Sequence, residues 1–172
     1  NNLPVMDSVA RNQTSRFQPV IAAAPGIDPS FYDRFSSFPR VENDTFRLMH
    51  FAAAALVTSG TATLEAALAS TPQVVCYRSN GSRLTYSIMR RILKIPFVSL
   101  PNLIARREVI PEMLLHNCNP DDVADRLAKI LPGGSSRRSQ TEGYAEIRRI
   151  LGDTPASDNA ARIIINTLQK SI

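Results

Sequence analysis

Three small residues with hydrogen-bonding groups, Ser59-Gly60-Thr61, stand between a short apolar run and a stretch of helical periodicity, with Glu65 one turn further on. Glycine lets a ligand approach the backbone closely, and the hydroxyl groups can cap a helix or bond phosphate oxygens. A carboxylate is a poor phosphate ligand but a good acceptor for ribose hydroxyls. The junction therefore fits a ligand that joins an anion to a polyol. An ordinary helix start followed by a Glu is the structural alternative, and spacing alone does not decide between them.

Patterns that mark other catalytic sites are missing from the sequence. It contains no GxxxxGK[ST], no GxGxxG, no GxSxG and no HExxH. His116 and Cys118 could supply half of a metal site, but no second pair accompanies them. The sequence therefore predicts neither a bound metal nor a cofactor.

Basic residues are concentrated in one window. Seven of the 20 Lys and Arg residues fall between residues 78 and 107, which contain no Asp or Glu, and this favours an anionic partner. Residues 83–94 have the pattern of an amphipathic helix, which predicts contact with an anionic membrane surface. The alternative is that the apolar stripe packs on the protein and only the charges are exposed. Nucleic acid is not the expected partner, because Tyr86 and Phe97 are the only aromatic residues in the window.

Alternating strand and helix patterns predict the fold class. Apolar runs at 19–24, 54–59, 72–77 and 97–100 are typical of strands buried on both faces. Helical patterns lie between and after them, at 5–12, 29–35, 45–53, 62–70, 84–93, 120–131, 142–151 and 158–169. Residues 131–143, which contain several Gly, Ser and Arg, are predicted to form a loop. We expect an α/β, Rossmann-like parallel sheet with helices on both faces, in which 54–59 and 72–77 pair in parallel.

Length and composition indicate a single soluble domain spanning residues 1–172. The chain is 44% hydrophobic and has no run of about 20 apolar residues that could cross a bilayer. Cys76 and Cys118 are too few and too different in setting for a disulfide framework, which predicts free thiols in a reducing compartment. The opening NNLPVMDSVARNQ does not have the pattern of a signal peptide, and we expect the chain to be a fragment of a longer protein.

The sequence resembles the lipid-A-disaccharide synthase family in three motifs and in their order along the chain. Members of this family are inverting glycosyltransferases of the GT-B type. The motifs are SGTATLE (59–65), VSLPNL (98–103) and REVIPE (107–112), and the similarity is strongest over residues 45–131. The resemblance implies that the chain is the C-terminal, nucleotide-sugar-binding domain and that the N-terminal acceptor domain is absent from it. The sequence departs from the family at Arg106, where a small residue, often Gly, is usual, and at SNGSRLTY (79–86), which replaces a shorter link.

The resemblance also implies a reaction in lipid A biosynthesis of Gram-negative bacteria. A diacylated glucosamine passes from UDP-2,3-diacylglucosamine to the 6-hydroxyl of 2,3-diacylglucosamine 1-phosphate, with inversion and release of UDP. No metal is implied, because helix ends and basic side chains stabilise the leaving diphosphate. The implied location is cytoplasmic, peripheral on the inner face of the inner membrane, and a homodimer is left open. Another GT-B glycosyltransferase or a UDP-sugar epimerase is the alternative, although these would lack the second and third motifs.

The resemblance assigns substrate-binding roles to individual residues. Ser59, Gly60 and Thr61 would face the diphosphate, Glu65 the ribose, and Asn102 the donor or reacting sugar. Tyr77 and Arg78 are further substrate-binding candidates at the end of the next apolar run. Asn102 could instead hold a turn, and Arg78 could instead pair with a carboxylate. No catalytic residue is expected in the chain, since the general base is expected in the missing domain, so the chain alone is predicted to be inactive.

Overall fold

The structure is a computed structural model that describes residues 2–58, 60–78, 96–152 and 156–169. Strands and helices alternate along these residues. The strands are β1 (Ile21–Ala23), β2 (Arg40–Glu42), β3 (Ala55–Thr58), β4 (Gln73–Tyr77) and β5 (Glu112–Leu114). The helices are α1 (Leu3–Arg11), α2 (Pro29–Asp33), α3 (Thr45–Phe51), α4 (Thr61–Leu68), α5 (Leu100–Ala105), α6 (Pro120–Ile130), α7 (Arg137–Leu151) and α8 (Ala156–Gln169), with a 3₁₀ turn at Leu115–Asn117. The helix predicted at 84–93 lies outside the described residues.

Every strand ladder in the described part is parallel. β3 pairs with β4 from Ala55↔Gln73 to Thr58↔Cys76, which confirms the predicted parallel pairing of 54–59 with 72–77. β5 lies on the other side of β4, and β1 pairs with β2 in a separate two-stranded group. The described strands therefore form two open parallel groups, and β4 is the central strand of the larger one.

Helices cover both faces of the larger sheet. Val74 and Cys76 of β4 belong to a buried cluster with residues of α1 and α6, whereas Val75 belongs to a cluster with residues of α4, α5 and α7. Side chains alternate between faces along a strand, so β4 contributes to both cores. Full burial of each valine contributes about 1.5–3 kcal/mol to folding. This arrangement confirms the predicted α/β, Rossmann-like class.

The strand predicted at residues 97–100 is wrong, because α5 begins within this segment at Leu100. A four-residue apolar run is too short to distinguish a strand from a helix. Pro101 lies in the first turn, where proline's missing N–H needs no partner. β2 and β5 were not predicted, since each has only three residues and includes charged side chains.

The loop predicted at residues 131–143 is shorter than expected, because α7 begins at Arg137. Gly143 is buried in this helix, and a Cβ atom there would lie 2.4 Å from Cγ1 of Val109. Glycine at this position therefore allows α7 to approach the loop before β5 closely, rather than making the chain flexible. Composition alone does not distinguish these two uses of glycine.

Candidate functional site

The C-terminal ends of β3 and β4 lie side by side. Thr58 of β3 pairs with Cys76 of β4, so Gly60 and Arg78, each two residues further along, emerge at the same edge of the sheet. Ligands of open parallel sheets bind at this edge, beyond the carboxyl ends of the strands. Ser59 lies outside the described residues. The structure thus brings Gly60 and Thr61 to the same edge as Tyr77 and Arg78.

The start of α4 is exposed at this edge. Gly60, its N-cap residue, has φ 143° and ψ −163°, a backbone conformation that side-chain-bearing residues rarely adopt, and it offers no side chain to cap the helix. The hydroxyl of Thr63 donates a 2.7 Å hydrogen bond to the Gly60 carbonyl and holds the turn. The first backbone N–H groups of a helix and its positive dipole end attract anions. The start of α4 therefore suits a phosphate group.

Glu65 lies on the exposed face of α4. It is one helical turn beyond Thr61, which is also exposed, and residues three or four apart share a helix face. Thr63, Ala66 and Ala67 are buried, so they form the inward face. The position of Glu65 fits a ribose ligand next to a phosphate at the helix start, and it equally fits a solvated carboxylate.

Tyr77 and Arg78 are both exposed at the end of β4. The side chain of Asn2 lies beside them: its Nδ2 donates to the Cys76 carbonyl at 3.0 Å, and its Oδ1 accepts from the Arg78 N–H at 2.6 Å. Among the described residues, no ion pair joins Arg78 to a carboxylate. Asn2 was not among the predicted site residues, because only the fold reveals that it contacts β4. The one available signal was its place before the Leu-Pro start of α1.

Asn102 is completely buried in α5, and its amide is fully hydrogen-bonded within the chain. Its Oδ1 accepts from the N–H groups of Val109 and Ile110 at 2.7 and 2.9 Å. Its Nδ2 donates to the Ile110 carbonyl and to Glu112 Oε1, both at 2.9 Å. An asparagine amide has two donors and two acceptor positions, so none remains for a ligand. The geometry therefore does not support the expected direct contact of Asn102 with the donor and favours its structural alternative.

Glu112, at the start of β5, was not predicted as a functional residue. Its carboxylate accepts hydrogen bonds from the N–H groups of Val98 and Ser99, both at 3.0 Å, and from the Ser99 hydroxyl at 2.6 Å. Ser99 is the N-cap residue of α5, so Glu112 places a negative charge beside the start of this helix, where the helix dipole stabilises it. The start of α5 is thus occupied by an anion of the protein itself, whereas the start of α4 is exposed.

Cys76 and Cys118 are both buried free thiols, as predicted. They also interact, which the sequence did not predict. A hydrogen bond from Cys76 lowers the pKa of Cys118 to about 7, and the Tyr77 N–H and the charge of Arg78 act in the same direction, against burial. The hydrogen bond to Cys118 and burial raise the pKa of Cys76. The thiol pair therefore lies next to the backbone of Tyr77 and within reach of the charge of Arg78.

Among residues 2–58, 60–78, 96–152 and 156–169, no group of three or more His, Cys, Asp or Glu side chains is arranged to hold a metal ion. No helix in the same part of the chain is both long enough and apolar enough to cross a bilayer. The predicted membrane-contacting helix at 83–94 lies outside the described residues.

Known proteins are similar in sequence to this chain over much of its length. The sequence model of the family described as lipid-A-disaccharide synthetase matches residues 32–164. A lipid-A-disaccharide synthase from Sulfurihydrogenibium sp. (strain YO3AOP1) is 35% identical over 134 residues, which are 78% of this chain and 34% of that protein. Its counterpart from Myxococcus xanthus (strain DK1622) is 36% identical over an alignment of 174 positions, which covers 96% of this chain and 45% of that protein. The one from Pseudomonas putida (strain GB-1) is 45% identical over 116 residues, 67% and 29% respectively. The chain thus spans less than half the length of each of these relatives.

Proposed function

The chain belongs to the lipid-A-disaccharide synthase family, and we propose on this basis that it is the UDP-sugar-binding part of a glycosyltransferase of lipid A biosynthesis. The complete enzyme would transfer 2,3-diacylglucosamine from UDP to 2,3-diacylglucosamine 1-phosphate, with inversion at the reacting carbon. In this proposal the chain is the C-terminal domain, and a second domain carries the acceptor site. The family match over residues 32–164 favours this function over another GT-B glycosyltransferase or a UDP-sugar epimerase.

The exposed start of α4 is the observation that carries this proposal. Gly60 leaves the first turn without a cap of its own and without a Cβ atom above it, at the edge where parallel sheets bind ligands. The UDP diphosphate would accept hydrogen bonds from the first backbone N–H groups of α4 and from the Thr61 hydroxyl. Glu65, on the same exposed face, would accept hydrogen bonds from the ribose. Ser59 keeps the diphosphate role that its motif implies.

Tyr77 and Arg78 would contribute from the neighbouring strand. Arg78 is exposed at the edge that holds the start of α4, so its guanidinium can lie near the diphosphate. As the bond to the sugar breaks, negative charge grows on the leaving UDP, and positive groups fixed around it lower the barrier. The helix dipole and Arg78 would supply this stabilisation without a metal ion.

The acceptor hydroxyl must lose a proton to a general base, and we propose that this base lies outside the 172-residue chain. The two carboxylates described above have other roles: Glu65 is assigned to the ribose, and Glu112, at the start of β5, is hydrogen-bonded to Val98 and Ser99. The experiment is disaccharide formation from the two acylated substrates. Full-length protein is expected to be active, whereas the 172 residues alone are not. Turnover by the chain alone would contradict this division, and an inactive full-length protein would contradict the proposed function.

Membrane contact through residues 83–94 remains part of the proposal and rests on the sequence pattern. Both substrates carry acyl chains, so an enzyme at the cytoplasmic face of the inner membrane would meet them there. Each basic residue near an anionic surface adds about 1 kcal/mol of attraction. Full-length protein should sediment with phosphatidylglycerol vesicles, and replacing Arg83, Arg90, Arg91 and Lys94 by Gln should abolish this. Unchanged sedimentation would exclude residues 83–94 as the contact.

A further inference from the structure

Glu112 and Asn102 form one buried connection between two segments. Asn102 belongs to α5 and binds the backbone at Val109 and Ile110, which precede β5. Glu112 belongs to β5 and binds the backbone at Val98 and Ser99, which precede α5. Each side chain therefore holds the start of the other's segment, and a 2.9 Å hydrogen bond joins the two side chains. Together they fix α5 to β5.

This α5–β5 unit supports both elements of the proposed UDP site. Ile104 and Ala105 of α5 belong to the same apolar cluster as Leu64 and Ala67 of α4, the helix that carries Thr61 and Glu65. On the other side, β5 pairs with β4, and Leu114 lies opposite Tyr77 at the ligand edge. A shift of α5 relative to β5 would therefore change the spacing between the start of α4 and the end of β4.

Glu112 is held mainly by contacts within the protein. Its Oε1 accepts hydrogen bonds from the Ser99 N–H, the Ser99 hydroxyl and Asn102 Nδ2, and its Oε2 accepts one from the Val98 N–H. It also places a negative charge at the start of α5, which would repel a phosphate group there. The exposed start of α4 then becomes the favoured position for the diphosphate.

We propose that Glu112 is a positioning residue of the UDP site, which sets the alignment of α4 with β4 through Asn102 and α5 and keeps the start of α5 closed to phosphate. This inference rests on the proposed function of the edge as a UDP site. It assigns to Glu112 a role in ligand affinity beyond its contribution to the fold. It also assigns Asn102 an indirect role in binding.

The test is the affinity of the full-length protein for UDP, measured by calorimetry. Glu112→Gln keeps the size of the side chain but turns one acceptor into a donor that faces backbone N–H groups. We expect UDP binding to weaken by about tenfold. This is the lower end of the effect of losing one hydrogen bond to a charged group, here passed on to UDP through the misaligned α4 and β4. Ser99→Ala, which removes only the 2.6 Å hydroxyl contact, is expected to weaken binding in the same direction by a smaller factor and serves if Glu112→Gln does not fold. The double variant Asn102→Ala/Glu112→Gln should bind no more weakly than Asn102→Ala alone.

Gln140→Ala is the matched control. Gln140 is also buried, and its amide binds the backbone of Gln73 at 2.7 and 3.0 Å, at the opposite end of β4. This variant should lower the melting temperature while UDP affinity stays unchanged. If Glu112→Gln behaves like Gln140→Ala, with reduced stability and unchanged affinity, the positioning role is wrong. Disaccharide formation by the wild-type protein is measured separately: its absence, with Glu112-dependent UDP binding, would overturn the proposed function and leave this inference standing.

Discussion

The side-chain oxygen of Asn2 accepts a 2.6 Å hydrogen bond from the backbone N–H of Arg78, although 76 positions separate the two residues. The same amide donates to the Cys76 carbonyl. Asn2 therefore extends the hydrogen bonding of β4 beyond the end of its ladder. It fixes the backbone from which Tyr77 and Arg78 project at the proposed UDP site.

Asn2→Ala should therefore destabilise the protein. It leaves the Cys76 carbonyl and the Arg78 N–H without their partner, which costs about 1 kcal/mol for a partly buried pair. Urea unfolding measures this loss. Asn12→Ala, an exposed change at the other end of α1, is the control and should leave the free energy of unfolding unchanged. Equal losses in both variants would show that the contact with β4 does not stabilise the fold.

Arg106→Gly should stabilise the protein. Arg106 ends α5 in the left-handed conformation, with φ 54° and ψ 25°, which glycine adopts without steric cost. Glycine relieves this strain but adds conformational freedom to the unfolded chain. The net effect should raise the free energy of unfolding by about 0.5–1 kcal/mol.

Arg107, the residue after Arg106, provides the control for this prediction. Arg107 does not have a positive φ, and it forms an ion pair with Glu146. Arg107→Gly should therefore destabilise the protein in the same thermal unfolding experiment. A fall in melting temperature for Arg106→Gly would contradict the strain argument.

Gly143→Ala should destabilise the protein, although alanine is the better helix former. The new Cβ atom would lie 2.4 Å from Cγ1 of Val109, and overpacking of this kind costs about 1–3 kcal/mol against the roughly 1 kcal/mol gained in helix propensity. Val109→Ala removes the clashing methyl groups and should restore part of the loss when combined with Gly143→Ala. Additive losses in the double variant would exclude the clash as the cause.

The thiol pair should make stability depend on pH. The pKa of Cys118 is lowered in the folded protein to about 7. The thiolate's contribution to the free energy of unfolding is therefore fully present above the ordinary thiol pKa and is lost as pH falls through 7. The free energy of unfolding of wild type relative to Cys118→Ser should therefore rise between pH 7 and pH 9. Cys76→Ala is the second comparison: it removes the S–H that donates to the Cys118 thiolate, while the Tyr77 N–H and the charge of Arg78 still lower the pKa of Cys118, so the rise should shrink without vanishing. A difference that is flat or falls with pH would contradict the thiol interaction.

Much of the fold could be predicted because its main elements are long or strongly apolar. β3 and β4 are apolar runs on either side of a clear helical pattern, and a parallel crossover is the expected connection between them. β5 could not be predicted, because Glu112-Met113-Leu114 is too short for a periodic pattern. Its pairing with Val75, Cys76 and Tyr77 is a tertiary feature that sequence spacing does not reveal.

The candidate site shows the same division between local and long-range information. The position of Gly60 after a strand followed from the local pattern, and the structure places it just beyond the C-terminal end of β3. The surroundings of Asn102 did not follow, because its partners Val109, Ile110 and Glu112 come from another segment. A polar residue within a motif can bind a ligand or hold the fold, and only its hydrogen-bond partners distinguish these roles.

The most direct test of the account is UDP binding by full-length protein with and without the Glu65 carboxylate. Glu65→Ala removes the proposed ribose acceptor, and the lost charged hydrogen bonds should weaken binding by about 1.5–3 kcal/mol. Glu142→Ala, which removes an exposed carboxylate from α7, should leave affinity unchanged. Calorimetric titration of the three proteins with UDP gives the result. Weaker binding by Glu65→Ala alone is predicted, whereas equal affinity in all three would contradict the placement of the nucleotide at the start of α4.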